Sequence, residues 1–154
     1  MARVVIALGS NLGNRKANIE TAIEKMKEKG LSIEKISTIV ETEPYGYVNQ
    51  PKFLNAVCLA NTSLSPRGLL ETLLSIEKEM GRKRTRKWGP RIIDLDIIFY
   101  NELVVREKDL VIPHPDAHNR FFVLEPLCEI APNFVHPVFK KTVRELLDDL
   151  RQRK

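Results

Sequence analysis

Cysteine and long apolar runs are both scarce in this sequence, and each scarcity excludes a class of protein. The only two cysteines, Cys58 and Cys128, lie far apart in apolar contexts, so we expect buried reduced thiols rather than a disulfide or a metal pair. No apolar run approaches the roughly 20 residues that span a bilayer, and the N-terminal stretch lacks the length and cleavage site of a signal peptide. We therefore expect a cytoplasmic protein that does not bind membranes.

The remaining composition is that of a globular protein with an excess of positive charge. A chain of 154 residues, 43% hydrophobic and 29% charged, fits one domain with a real core, and we expect that domain to span residues 1–154. The net charge of +5 and the pI near 9.3 favour an anionic partner. Charge alone does not choose among a nucleotide, a nucleic acid and a phosphate.

Hydrophobic periodicity and turn signals place the secondary structure along the chain. Strands are predicted at residues 3–8, 31–43, 52–64 and 93–99, with a short strand pair around residues 102–112. Helices are predicted after the capping residues Asn14, Ser65 and Thr142, with a short buried helix at residues 120–132. The order of these elements indicates an α+β fold, a ferredoxin-like α/β sandwich in which helices pack on the faces of an antiparallel sheet.

Two aspartates interrupt the apolar pattern of the predicted strand at residues 93–99. Asp94 and Asp96 stand at positions i and i+2, so their side chains point to the same face of the strand. A run of cations lies just upstream: Arg82, Lys83, Arg84, Arg86, Lys87 and Arg91. Mg²⁺ is usually held by one or two carboxylates together with substrate phosphates, which arginines also bind. The residues leave two interpretations open, a magnesium and polyphosphate site or a charged strand edge neutralised by the basic segment.

Asn55 is a polar residue on an otherwise apolar predicted strand, two residues after Phe53 and on the same face. A buried amide needs hydrogen-bond partners, and the edge of a heterocycle or the protein backbone would serve equally well. Trp88, within the basic segment, would also suit a platform for stacking a nucleic-acid base. The turn "GSNLGN" matches no phosphate-loop pattern, and the three histidines show no convincing metal-ligand spacing.

Several blocks of the sequence together resemble one family, the 6-hydroxymethyl-7,8-dihydropterin pyrophosphokinases of folate biosynthesis. The family signature is a basic residue, any residue, Gly-Pro-Arg, two residues, Asp-Leu-Asp and two aliphatic residues. Here it reads "KWGPRIIDLDII" at residues 87–98. The blocks "ALGSNLG", "QPKFLNAV", "IEKEMGRKR" and "PHPDAHNRFFVLEPLCEIAP" also resemble family blocks and occur in the family order. The resemblance covers essentially the whole chain.

This resemblance implies transfer of pyrophosphate from ATP to the hydroxymethyl group of the pterin, with two Mg²⁺ ions held by Asp94 and Asp96. The catalytic residues it implies are Arg82, Arg91 and Asp96. The pterin contacts it implies are Thr42, Pro44, Phe53, Asn55, Trp88 and Phe122. The ATP contacts it implies are Glu77, Arg82, Arg84, Lys87, Trp88, Arg91, Ile97, His114 and Arg120. The partners expected are these two small molecules and no nucleic acid, and the expected state is a monomer.

Two other classes of protein remain as alternatives. A ferredoxin-like nucleic-acid-binding module would use the positive charge and Trp88, although Asp94 and Asp96 would repel phosphates in the absence of a metal. A metal-dependent nucleotidyltransferase also uses paired aspartates, but it would release pyrophosphate instead of AMP. The identity of the nucleotide product separates these hypotheses.

Overall fold

The computed structural model describes residues 1–43, 49–81 and 91–153, which form seven strands, four α-helices and one 3₁₀ turn. The strands are β1 (Ala2–Ser10), β2 (Leu31–Ile36), β3 (Val40–Thr42), β4 (Phe53–Thr62), β5 (Asp94–Tyr100), β6 (Val105–Arg106) and β7 (Val111–Ile112). The helices are α1 (Arg15–Glu28), α2 (Pro66–Glu79), α3 (Phe121–Ile130) and α4 (Val143–Gln152), and the 3₁₀ turn is Ala117–Asn119. None of the helices in these ranges is long and apolar enough to cross a bilayer.

The main sheet is antiparallel and has β1 and β4 at its centre. Its strand order is β2-β4-β1-β5, and β3 pairs with the first residues of β4. Strands β6 and β7 form a separate two-stranded hairpin, which confirms the short strand pair predicted around residues 102–112. Because β1 pairs with both β4 and β5, its residues fix how the side chains of those two strands align across the sheet.

One predicted strand, at residues 31–43, is divided into β2 and β3. At the division, the backbone N–H of Ser37 donates to Val57 O and its hydroxyl accepts from Val57 N, each at 2.9 Å. The next residue, Thr38, donates its backbone N–H and its hydroxyl to the carboxylate of Glu129 on α3. These side-chain bonds interrupt the regular ladder, and they tie α3 to the segment that separates β2 from β3.

The predicted helix starts are confirmed by their caps. The side chains of Asn14 and Ser65 accept hydrogen bonds from the backbone N–H groups of Ala17 and Gly68. Thr142 and Glu145 form a reciprocal capping box at the start of α4. Each of these side chains satisfies a backbone group that a helix terminus leaves without an intrahelical partner.

The sheet separates two apolar cores. Helices α1 and α2 cover one face, where they pack on residues such as Val4, Ile6 and Leu8 of β1. Helices α3 and α4 cover the other face, where Val5 belongs to the core. The predicted α+β sandwich, with helices on the faces of an antiparallel sheet, is therefore confirmed.

Candidate functional site

Strand β5 carries the two aspartates to the sheet face that α3 covers. Its residues Leu95 and Ile97 belong to the core beneath α1 and α2. Because side chains alternate along a strand, Asp94 and Asp96 point to the opposite face. Both are half-buried and line one pocket there, so the predicted same-face arrangement of the two carboxylates is confirmed.

A row of residues crosses three strands beside this pocket. Gly9 of β1 pairs with Asp94 on one side and with Asn55 of β4 on the other. A Cβ atom at Gly9 would lie 3.0 Å from Asn55 Oδ1 and 3.4 Å from Phe53 Cδ1. Glycine in a strand often marks such a close approach. The absence of a side chain here lets Asn55 and Phe53 lie against β1.

The pocket combines an apolar end with a charged end. It brings together eight of the predicted site residues: Thr42, Phe53, Asn55, Arg91, Asp94, Asp96, Arg120 and Phe122. The aromatic rings and short polar side chains suit a flat heterocycle, and the carboxylates with two arginines suit a metal-bound polyphosphate.

At the apolar end, the amide of Asn55 is held by a neighbouring strand. Its Nδ2 donates to Thr42 Oγ1, and Thr42 pairs with Phe53 where β3 meets β4. The Thr42 hydroxyl accepts this bond and so retains a proton that it can donate to a ligand. Sequence reasoning left open whether Asn55 bonds to the backbone, and the structure shows a side-chain partner at the pocket.

The start of α3 supplies the other wall. The guanidinium carbon of Arg120 lies 5.6 Å from the centre of the Phe122 ring, within the range of a cation–π contact. Arg120 Nε also donates to Asp116 Oδ2 at 3.4 Å. These contacts hold a cation and an aromatic ring side by side, at the boundary between the charged and apolar ends of the pocket.

The scan against protein families gives a match over residues 5–132 to the family described as 7,8-dihydro-6-hydroxymethylpterin-pyrophosphokinase. The chain belongs to this pyrophosphokinase family. Family membership gives its reaction class, transfer of a pyrophosphoryl group to a hydroxymethylpterin in folate biosynthesis.

Curated relatives support the same assignment to the pyrophosphokinases. The 2-amino-4-hydroxy-6-hydroxymethyldihydropteridine pyrophosphokinase of Aquifex aeolicus is 50% identical over 145 residues, which is 94% of this chain and 90% of the relative. The Bacillus subtilis enzyme of the same name is 44% identical and aligns with 81% of this chain and 75% of the relative. The folic acid synthesis protein of Pneumocystis carinii is 50% identical, but the aligned region is only 18% of its length.

A solved structure shows the same fold as this pyrophosphokinase. The Plasmodium falciparum HPPK-DHPS wild type with pteroate superposes with a TM-score of 0.81 at 18% identity, over 99% of this chain. The chain spans 43% of that protein.

Three further predicted ATP contacts of the pyrophosphokinase are described but do not line this pocket. Glu77 of α2 is 4% exposed, and its Oε2 accepts the backbone N–H of Leu95 at 2.8 Å, between the two aspartates. Ile97 points into the core beneath α1 and α2. His114 lines a neighbouring groove together with His118 and His136. The ATP contacts of these three residues remain predictions.

His114 is held in its neutral form. Burial, with a smaller effect from the charge of Arg120, lowers the pKa of His114 to about 4. Its Nδ1 accepts the backbone N–H of Asp116 at 3.1 Å, which leaves Nε2 to carry the proton. Near neutral pH the ring can therefore donate one hydrogen bond to a phosphate oxygen but does not offer a positive charge.

The remaining predicted site residues lie outside the described residues: Pro44, Arg82, Arg84, Lys87 and Trp88. Within the described residues, no group of three or more His, Cys, Asp or Glu side chains could hold a metal ion. Asp94 and Asp96 alone would supply two carboxylates, the small protein contribution that Mg²⁺ takes when substrate phosphates complete its coordination. The donor set thus fits magnesium bound together with a nucleotide.

Two residues of the "GSN" turn were missed as site residues by sequence reasoning. Gly9 brings β1 close to Asn55, and Asn11, just beyond β1, is 1% exposed and hydrogen-bonded through its side chain. No signal pointed to Gly9, because the strand was predicted to end at residue 8 and Gly9 was assigned to the turn that follows, whereas β1 extends to Ser10. No sequence signal identified the partners of Asn11, because they lie 39 to 80 residues away along the chain.

Proposed function

We propose that the chain transfers the pyrophosphoryl group of ATP to the hydroxymethyl group of 6-hydroxymethyl-7,8-dihydropterin, giving the pterin diphosphate and AMP. The observation that supports this most strongly is the pocket in which Asn55, Gly9 and Asp94 lie in one row across three strands. In this proposal, a site for a heterocycle lies next to a site for a polyphosphate along that row.

The pterin binds at the apolar end in this proposal. Phe53 and Phe122 contact the ring faces, while Asn55 and Thr42 hydrogen-bond to its polar edge. The resemblance adds Trp88 as an aromatic partner of Phe122 and adds Pro44 as a further contact. An aromatic sandwich with a few directed polar groups would orient the pterin so that its hydroxymethyl group faces the aspartates.

The triphosphate binds at the charged end. Asp94 and Asp96 would hold two Mg²⁺ ions, which neutralise phosphate charge and polarise the attacking hydroxyl when bound. Arg91 and Arg120 line the same pocket and present guanidinium groups that match phosphate oxygens. The resemblance adds three more phosphate contacts from the basic segment: Arg82, Arg84 and Lys87.

The reaction is one in-line displacement at the β-phosphorus. The pterin hydroxyl oxygen forms a bond to the β-phosphorus, and the bond between that atom and the α,β-bridging oxygen breaks, so AMP leaves with the bridging oxygen. The hydroxyl proton is released as the new bond forms, and Asp96 is the candidate acceptor. Positioning and charge stabilisation account for most of the catalysis in transfers of this kind, so the protein needs no stronger base.

The two alternative classes lack such support. A nucleic-acid-binding module and a nucleotidyltransferase each explain the charges, and an aromatic and amide end also suits a nucleobase, but the family match and the curated relatives point to neither class. We further propose that residues 1–154 act as one catalytic domain, as a monomer in the cytoplasm, without a nucleic-acid partner.

Product analysis tests this function. Purified protein with ATP, Mg²⁺ and the hydroxymethyl dihydropterin should form AMP and the pterin diphosphate in equal amounts, and no AMP should form when the pterin is omitted. Formation of ADP would indicate a simple kinase, and formation of pyrophosphate would indicate a nucleotidyltransferase. Either result would contradict the proposal.

A matched pair of variants tests the location of the pterin. Phe122→Ala should weaken pterin binding, because Phe122 lines the pocket. Phe121→Ala changes the neighbouring residue of α3, which packs against the core beneath α3 and α4 and does not line the pocket, so pterin affinity should be kept. Equal loss of pterin affinity in both variants would place the pterin elsewhere.

A further inference from the structure

Asn11 is a buried residue that joins two distant segments of the chain. Its Nδ2 donates to Gln50 Oε1 at 2.8 Å and to Pro51 O at 3.0 Å. Its Oδ1 accepts the backbone N–H of Arg91 at 2.7 Å, and its own backbone N–H donates to Arg91 O at 3.0 Å. Both ends of one amide are therefore occupied, each by a different segment.

Each segment leads directly into one end of the pocket. Gln50 and Pro51 immediately precede β4, which begins at Phe53 and carries the pterin-side residues. Arg91 lines the charged end and lies three residues before Asp94. The two bonds between Asn11 and the main chain of Arg91 fix the backbone position from which the side chain of this pocket-lining residue extends.

We infer that Asn11 is a positioning residue that sets the place of Arg91 relative to the pterin end of the pocket. This inference rests on the proposed function, because it takes Arg91 to act on ATP and the start of β4 to bind the pterin. Asn11 does not line the pocket itself, and it acts through the residues it holds.

Only a short amide can make this set of bonds. The Arg91 N–H needs an acceptor, and the two oxygens of Gln50 and Pro51 need a donor, so the side chain must offer both at once. Alanine offers neither, and it would leave the N–H of half-buried Arg91 without its partner. A shift of about 1 Å in a positioning group can lower the rate about 100-fold, so a small displacement of Arg91 would be visible in turnover.

The turn that carries Asn11 is fixed independently. Asn18 of α1 donates from Nδ2 to Leu12 O at 2.8 Å and to Ser10 Oγ at 3.2 Å. These bonds hold the turn itself and reach neither of the two segments. Asn18→Ala is therefore a matched control, because it removes an amide from the same turn without touching Arg91, Gln50 or Pro51.

Steady-state kinetics and thermal melting of three single variants test the inference. Asn11→Ala should lower kcat about 10- to 100-fold, because Arg91 is displaced. Gln50→Leu removes one of the two acceptors that Asn11 Nδ2 uses on the pterin side and leaves the bonds to Arg91, so it should raise the KM for the pterin several-fold with kcat within about twofold. Asn18→Ala should lower the melting temperature, because two hydrogen bonds of the turn are lost, and leave kcat unchanged. Equal loss of kcat in Asn11→Ala and Asn18→Ala would reduce Asn11 to a structural role and overturn the inference.

A double variant tests whether Asn11 acts through Arg91. If it does, adding Asn11→Ala to Arg91→Ala should lower kcat less than about twofold further. Multiplication of the two single effects would overturn the inference, since independent residues behave additively in free energy. Inactivity of the unsubstituted protein with the pterin would instead refute the proposed function, so the two failures are distinguishable.

Discussion

Substituting Gly9 by alanine places one methyl group at the centre of the site. Gly9 lies between Asn55 and Asp94 across the sheet, and its new Cβ would meet Asn55 Oδ1 at 3.0 Å and Phe53 Cδ1 at 3.4 Å. Ordinary contacts of a Cβ atom lie at 3.4 to 4 Å, so the Asn55 amide must move by a few tenths of an ångström. Its Nδ2 is bonded to Thr42 Oγ1, which opposes that movement.

The expected effect is larger on pterin binding than on stability. Crowding by one methyl group costs about 1 to 3 kcal/mol where packing is tight. Gly9 is buried, but the side chains of Asn55 and Phe53 that its Cβ would meet are half-buried and can shift, which favours the lower value. A displaced Asn55 loses its hydrogen bond to the pterin, which is worth about 1 to 1.5 kcal/mol, or about tenfold in affinity. We therefore expect the Kd for the pterin to rise about 5- to 12-fold.

Titration of the protein with the pterin, followed by calorimetry or pterin fluorescence, measures this change. Gly68→Ala is the matched control, because its Cβ would meet Ser65 Oγ at a similar 3.1 Å but lies in the first turn of α2, away from the pocket. In a protein that already carries Asn55→Ala, adding Gly9→Ala should change the Kd for the pterin by less than about twofold. Unchanged pterin affinity in Gly9→Ala, or a full effect that persists without Asn55, would refute the reasoning.

Three further predictions concern the charged and buried groups. Asp96→Ala should lower turnover about 10²- to 10³-fold, which corresponds to a rise of about 3 to 4 kcal/mol in the activation free energy, because a charge that acts on the transition state is lost. A variant with a lowered melting temperature but normal Mg²⁺-dependent turnover would show a structural role instead. Glu77→Leu should lower the free energy of unfolding by about 1 to 3 kcal/mol, because the Leu95 N–H loses its acceptor. Glu77→Gln keeps an acceptor oxygen and should retain most of the free energy of unfolding. Equal urea-unfolding curves for the two variants would contradict this role of Glu77. The pKa of His114 is lowered to about 4, so its NMR signal should stay constant between pH 8 and about pH 5.5 and should titrate only below that range. A titration midpoint between pH 6 and 7 would contradict the argument that burial lowers this pKa.

The lowered pKa of His114 also determines how its contribution to folding stability changes with pH. Protonation is easier in the unfolded chain, whose histidine pKa is about 6.5, than in the folded protein. The contribution of neutral His114 to folding is therefore fully present above about pH 6.5 and decreases as the pH falls toward 4. His136, with a pKa lowered to about 4 mainly by burial, acts in the same direction.

Local sequence signals were sufficient for the helix starts and for the aspartate pair. The caps Asn14, Ser65 and Thr142 define helix starts through bonds to residues three positions away, so a reader of the sequence can find them. The period of two in a strand likewise places Asp94 and Asp96 on one face without knowledge of the fold. Predictions of this kind depend only on short-range geometry.

Features that depend on distant partners could not be predicted in the same way. The break between β2 and β3 at Ser37 and Thr38 involves bonds to Val57 and Glu129, whereas hydrophobic periodicity alone predicted one continuous strand. The neutral state of His114 follows from burial, which its two flanking prolines do not reveal. Asn11 appeared to be only part of a strand-to-helix turn, because its partners come from elsewhere in the chain.

The most direct test of the central claim is a crystal structure of the protein with Mg²⁺, the pterin and α,β-methylene-ATP, in which the bond that should break cannot be cleaved. The pterin should lie between Phe53 and Phe122 with its polar edge toward Asn55, and the β- and γ-phosphates should lie at Asp94 and Asp96. The hydroxymethyl oxygen should point at the β-phosphorus from the side opposite the methylene bridge. A pterin or triphosphate bound outside this pocket, or a hydroxymethyl group directed at the γ-phosphorus, would contradict the account.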